Sequence, residues 1–211
     1  MTLKIKSILS LLLAFLLIFA GCSAAPHKER VQPPMSERIL QIAQGMKKLA
    51  GVEEGDCLLN ASDEFPAGSS VCDWAALACA VGGAEDSYTA YLHALEAYVK
   101  NKLGEDSSLG RATDYHRIAL TVLALGGDPA AFSEDKNGEP VNLIEFGTYN
   151  YPGELGAQGL NAYIFALITL DSESYTVPDG SRYTRVSSRK FLLPKNPTEG
   201  LGLIKVHLTL I

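Results

Sequence analysis

The sequence predicts an all-α domain of stacked helical hairpins. Apolar residues recur at three- and four-residue steps, the periodicity of helices rather than strands. Segments that are apolar on all sides take turns with segments that carry one apolar stripe, which puts one set of helices inside and the other outside. The all-apolar segments end near residues 82, 126 and 170, a constant step of 44. That step brings Ala78, Val122 and Ala166 into register, and likewise Val81, Leu125 and Thr169. Repeated helix pairs, each covering the apolar face of the next, have spacings of this size.

The elements follow in order. Residues 1–21 read as a signal peptide: Lys4 and Lys6 precede an apolar run from Ile8 to Ala20, too short to be preferred as a spanning helix. Phe19-Ala20-Gly21-Cys22 resembles the bacterial lipobox, in which the cysteine is lipidated and becomes the mature N-terminus. The resemblance implies an extracytoplasmic lipoprotein held at the cell membrane through Cys22. The plainer alternative is a secretory signal cleaved near Ala24 or Ala25. Residues 22–35, with Pro26, Pro33 and Pro34, form a tether.

The domain spans residues 36–181. Ser36 opens an amphipathic helix with Ile39, Ile42, Ala43, Met46, Leu49 and Ala50 on one face, stopped by Gly51. A loop follows from Gly55 to Ser70, with Asn60, Asp63, Pro66 and Gly68. Asp73 to Val81 is apolar all round and ends at Gly82-Gly83. Tyr88, Tyr91, Leu92, Leu95, Tyr98, Val99 and Leu103 then make a stripe, capped by Asp86 or Ser87 and ended by Gly104. Thr113 or Asp114 caps the next buried helix, which stops at Gly126-Gly127-Asp128-Pro129. A short helical piece is expected at Val141 to Phe146, loop from Gly147 to Gly159, and a third all-apolar helix from Leu160 to Leu170.

From Arg182 the composition changes. Arg182, Arg185, Arg189, Lys190, Lys195 and Lys205 stand against a single acid, Glu199, and Pro194 and Pro197 break any long helix. Residues 182–211 are therefore set apart as an anomalous tail. It is either a frameshifted or truncated reading frame or a divergent C-terminus that packs on the domain or stays mobile. An arc of helix pairs without a cap predicts a marginal or self-associating domain.

The net charge of −6 argues against a nucleic-acid partner, because phosphate binding needs a basic surface. Besides Cys22 the chain has Cys57, Cys72 and Cys79, an odd set that makes no complete disulfide framework. Cys72 and Cys79 lie too far apart on one helix to bridge, Cys79 reads as a small buried hydrophobe, and a Cys57–Cys72 bridge stays open. The spacing of cysteines and histidines gives no metal cluster, and no cofactor is expected.

Ser-Val-Cys-Asp-Trp-Ala-Ala-Leu-Ala-Cys-Ala at 70–80 resembles an inner-helix opening of the terpenoid cyclase and protein prenyltransferase superfamily, most closely the form found in surface proteins of Gram-positive gut bacteria. Residues 113–129 and 159–171 resemble successive helices of the same pattern, and Tyr175-Thr-Val-Pro-Asp-Gly180 the connection that follows. The resemblance covers roughly residues 37–185. It implies an α/α-toroid, here a partial one, since a closed ring needs more helix pairs than the chain supplies. It also implies an apolar small-molecule ligand, isoprenoid or corrin-like, or a surface-protein partner. The cyclases of the family protonate through a D-x-D-D motif, and its prenyltransferases hold zinc through Asp, Cys and His. Neither set has a counterpart here, nor does the Q-x-x-x-G-x-W repeat. The expectation is a membrane-anchored binding module without catalysis. The alternatives are a cyclase- or prenyltransferase-type enzyme and a truncated remnant without activity.

The candidate ligand contacts cluster at the openings of the inner helices. Asp73 and Asp114 could meet a ligand at a concave mouth, or simply occupy helix first turns that favour a carboxylate. Trp74, Tyr115 and Tyr163 suit an aromatic floor or ordinary core packing. His116 would serve as a base only with a carboxylate in reach, and otherwise is a satisfied core histidine. Asn161 shares the opening of the third inner helix with Tyr163.

Overall fold

The computed structural model describes residues 33–53, 55–59, 65–106 and 108–192. The signal segment, Cys22, nearly all of the tether, Asn60 and Asp63 of the first loop, and residues 193–211 lie outside the described residues. Contacts divide the chain into two units, Met1–Pro33 and Pro34–Ile211. Everything below concerns the second.

The domain is all-α. Six α-helices are described: α1 (Met35–Leu49), α2 (Ser70–Val81), α3 (Tyr88–Asp106), α4 (Ala112–Ala124), α5 (Leu160–Ser172) and α6 (Arg185–Leu192). Shorter helical turns cover Pro129–Ala131, Glu145–Tyr149 and Leu155–Gln158. Among the described residues the only extended pairing recorded is an isolated bridge between Glu134 and Pro140.

α2, α4, α5 and α6 pack on one another in chain order, with α1 against the outer end of α2. The joint between α1 and α2 depends on a missing side chain: Ile39 rests on Gly82, where a Cβ would overlap it. α3 turns Tyr91, Leu95, Val99 and Leu103 inward at four-residue steps, and all four are buried. They meet Cys72 and Ala76 of α2, Tyr115, Ile118, Ala119 and Val122 of α4, and Val141, Leu143 and Ile144 of the segment after it. Burying side chains of this size contributes roughly 1.5–3 kcal/mol each for the larger ones, which makes this cluster the main source of stability. Asp86 fastens the start of α3 to the first loop, accepting from the backbone N–H of Leu58 at 3.2 Å and of Leu59 at 2.8 Å. Lys47 of α1 lies 3.5 Å from the same carboxylate.

α4 is the centre of the row and is covered on nearly every side, as its composition predicts. The other two all-apolar segments are not. α2 buries a single stripe, Cys72, Asp73, Ala76 and Cys79, and leaves Val71 and Val81 exposed. α5 leaves Leu160, Ile164 and Ile168 exposed along one edge. The reason is position: α4 has α2 and α5 on its flanks and the Pro129–Ala131 and Glu145–Tyr149 turns against it as well, whereas α1 covers only the end of α2, and α5, between α4 and α6, keeps one edge free. Composition reports what a helix can bury, not how many neighbours it has.

Other differences are local. α3 runs through Gly104 to Asp106. Helix ends fall at Val81, Ala124 and Ser172, so the second repeat step is longer than the first. Gly82 and Gly126 follow the first two ends, whereas α5 has no glycine there and closes with Ser172 donating to Thr169 O at 2.8 Å. The piece expected at Val141–Phe146 starts at Leu143 and continues as a π-turn, Glu145–Tyr149, into a stretch read as loop. The basic segment does not leave the domain at Arg182. Tyr183 and Ser188 are buried, Arg185 donates to Asp171 at 2.7 Å and to Leu170 O at 2.6 Å, and Arg182 meets Glu154 at 2.9 Å. Arg182 and Arg185 of that segment thus pair with acids of the acidic domain. Cys57, Cys72 and Cys79 are all free thiols.

The π-turn lies against α4 because residue 147 lacks a side chain: a Cβ there would fall on Tyr115 Cβ and come 3.4 Å from His116 Cδ2. Gly147→Ala is expected to cost about 1–3 kcal/mol, the range for forcing extra volume into a packed core. Gly45 in α1 has nothing within 4 Å of its Cβ position. Gly45→Ala is therefore expected to add up to about 1 kcal/mol. Chemical denaturation of the two variants beside the parent checks both signs.

Candidate functional site

At the junction of α2, α3 and α4 sits a buried ionic network. Asp73, with no exposed surface, accepts three hydrogen bonds: from Gly68 N–H at 2.9 Å, from the Tyr91 hydroxyl at 2.7 Å and from Arg117 Nε at 2.9 Å. Arg117 continues to Asp114, Nη1 to Oδ1 at 2.8 Å, and to Gly68 O at 3.2 Å. Thr121 donates to Asp73 O at 3.3 Å. Local sequence makes this arrangement. Gly68 has φ +86 and a Cβ there would lie 2.5 Å from the Tyr98 ring, so only glycine can offer both its N–H and its carbonyl to the pair. Burial first, and the Asp73 carboxylate second, push the Tyr91 phenol far above its ordinary value. It stays a hydrogen-bond donor.

Two of the sequence candidates, Asp73 and Asp114, therefore meet, but on Arg117 rather than at an open mouth. Asp114 also accepts from Arg111 N–H at 3.2 Å, a first-turn role. The other candidates are dispersed. Trp74 faces Phe165 of α5, ring centroids 5.5 Å apart. Tyr115 is buried, accepts from Leu109 N–H at 3.0 Å and meets Tyr151 edge-on at 6.5 Å. Tyr163 stacks on Phe191 of α6 at 4.4 Å. Asn161 is exposed.

His116 is fully buried beneath the π-turn, and neither ring nitrogen has a hydrogen-bond partner of normal geometry. Burial lowers its pKa to about 4, with the Gly147 backbone offsetting a small part of the shift. No carboxylate is paired with it. The ring is neutral at neutral pH and is not placed to exchange a proton with a substrate.

Arg117 was not among the candidates, although a signal for it existed. It is a lone cation inside an apolar helix, one repeat step after a lone acid inside another. A shallow concavity of about 640 Å3 also went unforeseen. It opens between the loop after α5 and the start of α6, lined by Tyr175, Val177, Pro178 and Val186 with Asp179 and the Asp171–Arg185 pair. Among the described residues, no group of three or more His, Cys, Asp and Glu side chains is placed to hold a metal ion. Compared with known proteins, the chain matches no family model, no curated protein and no solved structure.

Proposed function

We propose that the chain is a membrane-anchored extracytoplasmic lipoprotein whose helical domain, a partial α/α-toroid, binds a ligand or partner without transforming it. The observation that carries the binding reading is the engagement of Asp73 and Asp114 by Arg117. The two inner-helix acids that could have served as proton donors are held in an ion pair, one of them with no exposed surface. The inner helices leave apolar side chains at the surface, the edge of Ile164 and Ile168 beside the half-buried Trp74–Phe165 pair, with Asn161 exposed at the opening of α5. Apolar surfaces with a few fixed polar groups suit an apolar small molecule. The anchoring reading rests on Phe19-Ala20-Gly21-Cys22 behind a cationic and apolar start. Lipid attachment fits a chain in which no described helix is long and apolar enough to cross a membrane.

Two measurements test the halves separately. Produced as the full chain in a bacterium, the protein is expected to fractionate with membranes and to carry a lipid on Cys22 by mass spectrometry. Cys22→Ser is expected to abolish the lipid-bearing species and to loosen membrane association, and a parent chain that carries no lipid on Cys22 would sink the anchor. For the domain, Trp74 is the only tryptophan, so its emission reports on the inner surface. Saturable quenching by an isoprenoid alcohol supports binding. Turnover of an allylic diphosphate, with or without zinc, would overturn the non-catalytic reading if Asp114→Asn abolished it without lowering the melting temperature.

A further inference from the structure

α1 carries large apolar side chains that nothing in the domain covers. Met35, Ile42 and Leu49 follow one another at seven-residue steps and are 69%, 60% and 90% exposed. At 100° per residue the three fall within about 40° of one another on the helix surface, so they form a single stripe. It is separate from the buried side of the helix, where Ala43 and Ile39 meet the end of α2. Arg38 is exposed beside the stripe, about 40° from Ile42, and Lys48 is exposed about 100° round the helix from Leu49, on the same side as Arg38. Glu37 is the acid on this helix, and Gln41 donates to it at 3.4 Å.

Charge separates this end of the chain from the rest. Between Ser23 and Ala50 stand Lys28, Arg30, Arg38, Lys47 and Lys48 against Glu29 and Glu37, in a chain whose net charge is −6. An apolar stripe with cations along its outer side, on an otherwise acidic protein, is matched by a surface that is apolar inside and anionic at its rim. That is the surface of an anionic bilayer. The distance also fits. Twelve residues, 23–34, separate Cys22 from Met35, and the thirteen steps between them span at most about 45 Å when extended, so a lipid on Cys22 keeps α1 within reach of the headgroups.

From this we infer that α1 is a second membrane contact: its Met35, Ile42 and Leu49 stripe lies in the headgroup region of an anionic bilayer, with Arg38 and Lys48 on lipid phosphates. The inference rests on the anchor reading for proximity, but its chemistry does not require the lipid on Cys22. One acyl chain or one amphipathic contact binds reversibly, and two signals hold firmly. Docking of α1 would also fix which face of the domain looks away from the membrane.

The test is hydroxyl-radical footprinting of the full chain, purified in detergent and reconstituted into vesicles. One set is phosphatidylcholine alone and the other contains a third phosphatidylglycerol. Oxidation of Met35, Ile42 and Leu49 is expected to be about fivefold slower on the anionic vesicles than in detergent, the value for a face inserted roughly four-fifths of the time. Val71 and Val186, exposed elsewhere, are expected to react alike in both. Ile42→Glu is expected to restore the reactivity of Met35 and Leu49 while the protein stays in the vesicle fraction. Equal reactivity of the stripe in detergent and on both vesicles overturns the inference. So does protection that appears without vesicles and grows with protein concentration, which would assign the stripe to a second copy of the chain. Mass spectrometry of the same sample reads Cys22 independently. A missing lipid there sinks the anchor, while the footprint on added anionic vesicles still decides the role of α1.

Discussion

Arg117→Met is expected to lower the unfolding free energy by about 3–5 kcal/mol, the cost of leaving a buried charge without its partner. Asp73 has no exposed surface, and without Arg117 it would keep only the Gly68 N–H and the Tyr91 hydroxyl. Asp114, partly exposed, would lose less, because water replaces the guanidinium there. The thermal midpoint should fall on the order of 10 °C for a domain of this size. The reverse experiment separates the pair from its surroundings. A buried ion pair also bears the cost of stripping water from both charges, so replacing both partners by apolar residues of similar volume is far less damaging than removing one. Asp73→Leu combined with Arg117→Met should therefore be clearly more stable than the sum of the two single changes. Denaturant titration of the four proteins in the cycle measures this directly. Strict additivity would mean that the two residues are stabilised by other contacts and that the pair has no energetic unity.

Acid is expected to weaken the domain through His116. The unfolded chain binds a proton at this residue near the ordinary value of 6.5, and the folded chain only near 4. As pH falls from 6.5 toward 4 the unfolded state gains protons that the native state refuses, so stability declines over that window and levels off below it. Above 6.5 the group contributes no pH dependence. The full loss is roughly 3 kcal/mol, from about 1.4 kcal/mol per pH unit of separation. No counter-ion offsets it: neither ring nitrogen has a hydrogen-bond partner of normal geometry, and the Gly147 backbone offsets only a small part. The measurement is unfolding free energy from pH 8 to pH 4.5 for the parent and for His116→Leu. The variant should give a flatter profile across pH 6.5–4.5 even if it is less stable at pH 8. Parallel profiles would mean that water or the Gly147 carbonyl accommodates the imidazolium in the folded protein.

The helix stripes were legible in the sequence because they are local. The inward residues of α3 follow from four-residue spacing alone, and the ends of α1, α2 and α4 follow from glycine chemistry. Coverage was not legible. α2, α4 and α5 read alike as apolar helices and each has a helix on either flank, yet only α4 is covered on nearly every side, because how much of a helix its neighbours cover is a property of the arrangement. The π-turn at Glu145–Tyr149 escaped for a related reason: it depends on Gly147 meeting Tyr115, a contact between residues far apart in the chain. The aromatic candidates at the helix openings went to separate partners, since where rings converge depends on how the row of helices bends. Asp73 with Arg117 was the readable feature that went unread. A charge inside an apolar helix needs an opposite one, and the repeat step points to the helix that supplies it.

That pair has a consequence for how such a chain can change. Repeated helix pairs ordinarily tolerate duplication, deletion and swapping, because each unit presents the same face to the next. Here the joint between α2 and α4 is keyed: one helix brings the acid and the other the base at corresponding positions. Copying the unit of α2 into the place of α4 would set two carboxylates against each other in a dry interface, and copying α4 backward would do the same with two guanidiniums. The third inner helix, Leu160–Ser172, has no charged residue before Asp171 at its end, so the key is not repeated there. The units have an order written into them, and the chain can grow or shrink beyond α5 more freely than between α2 and α4.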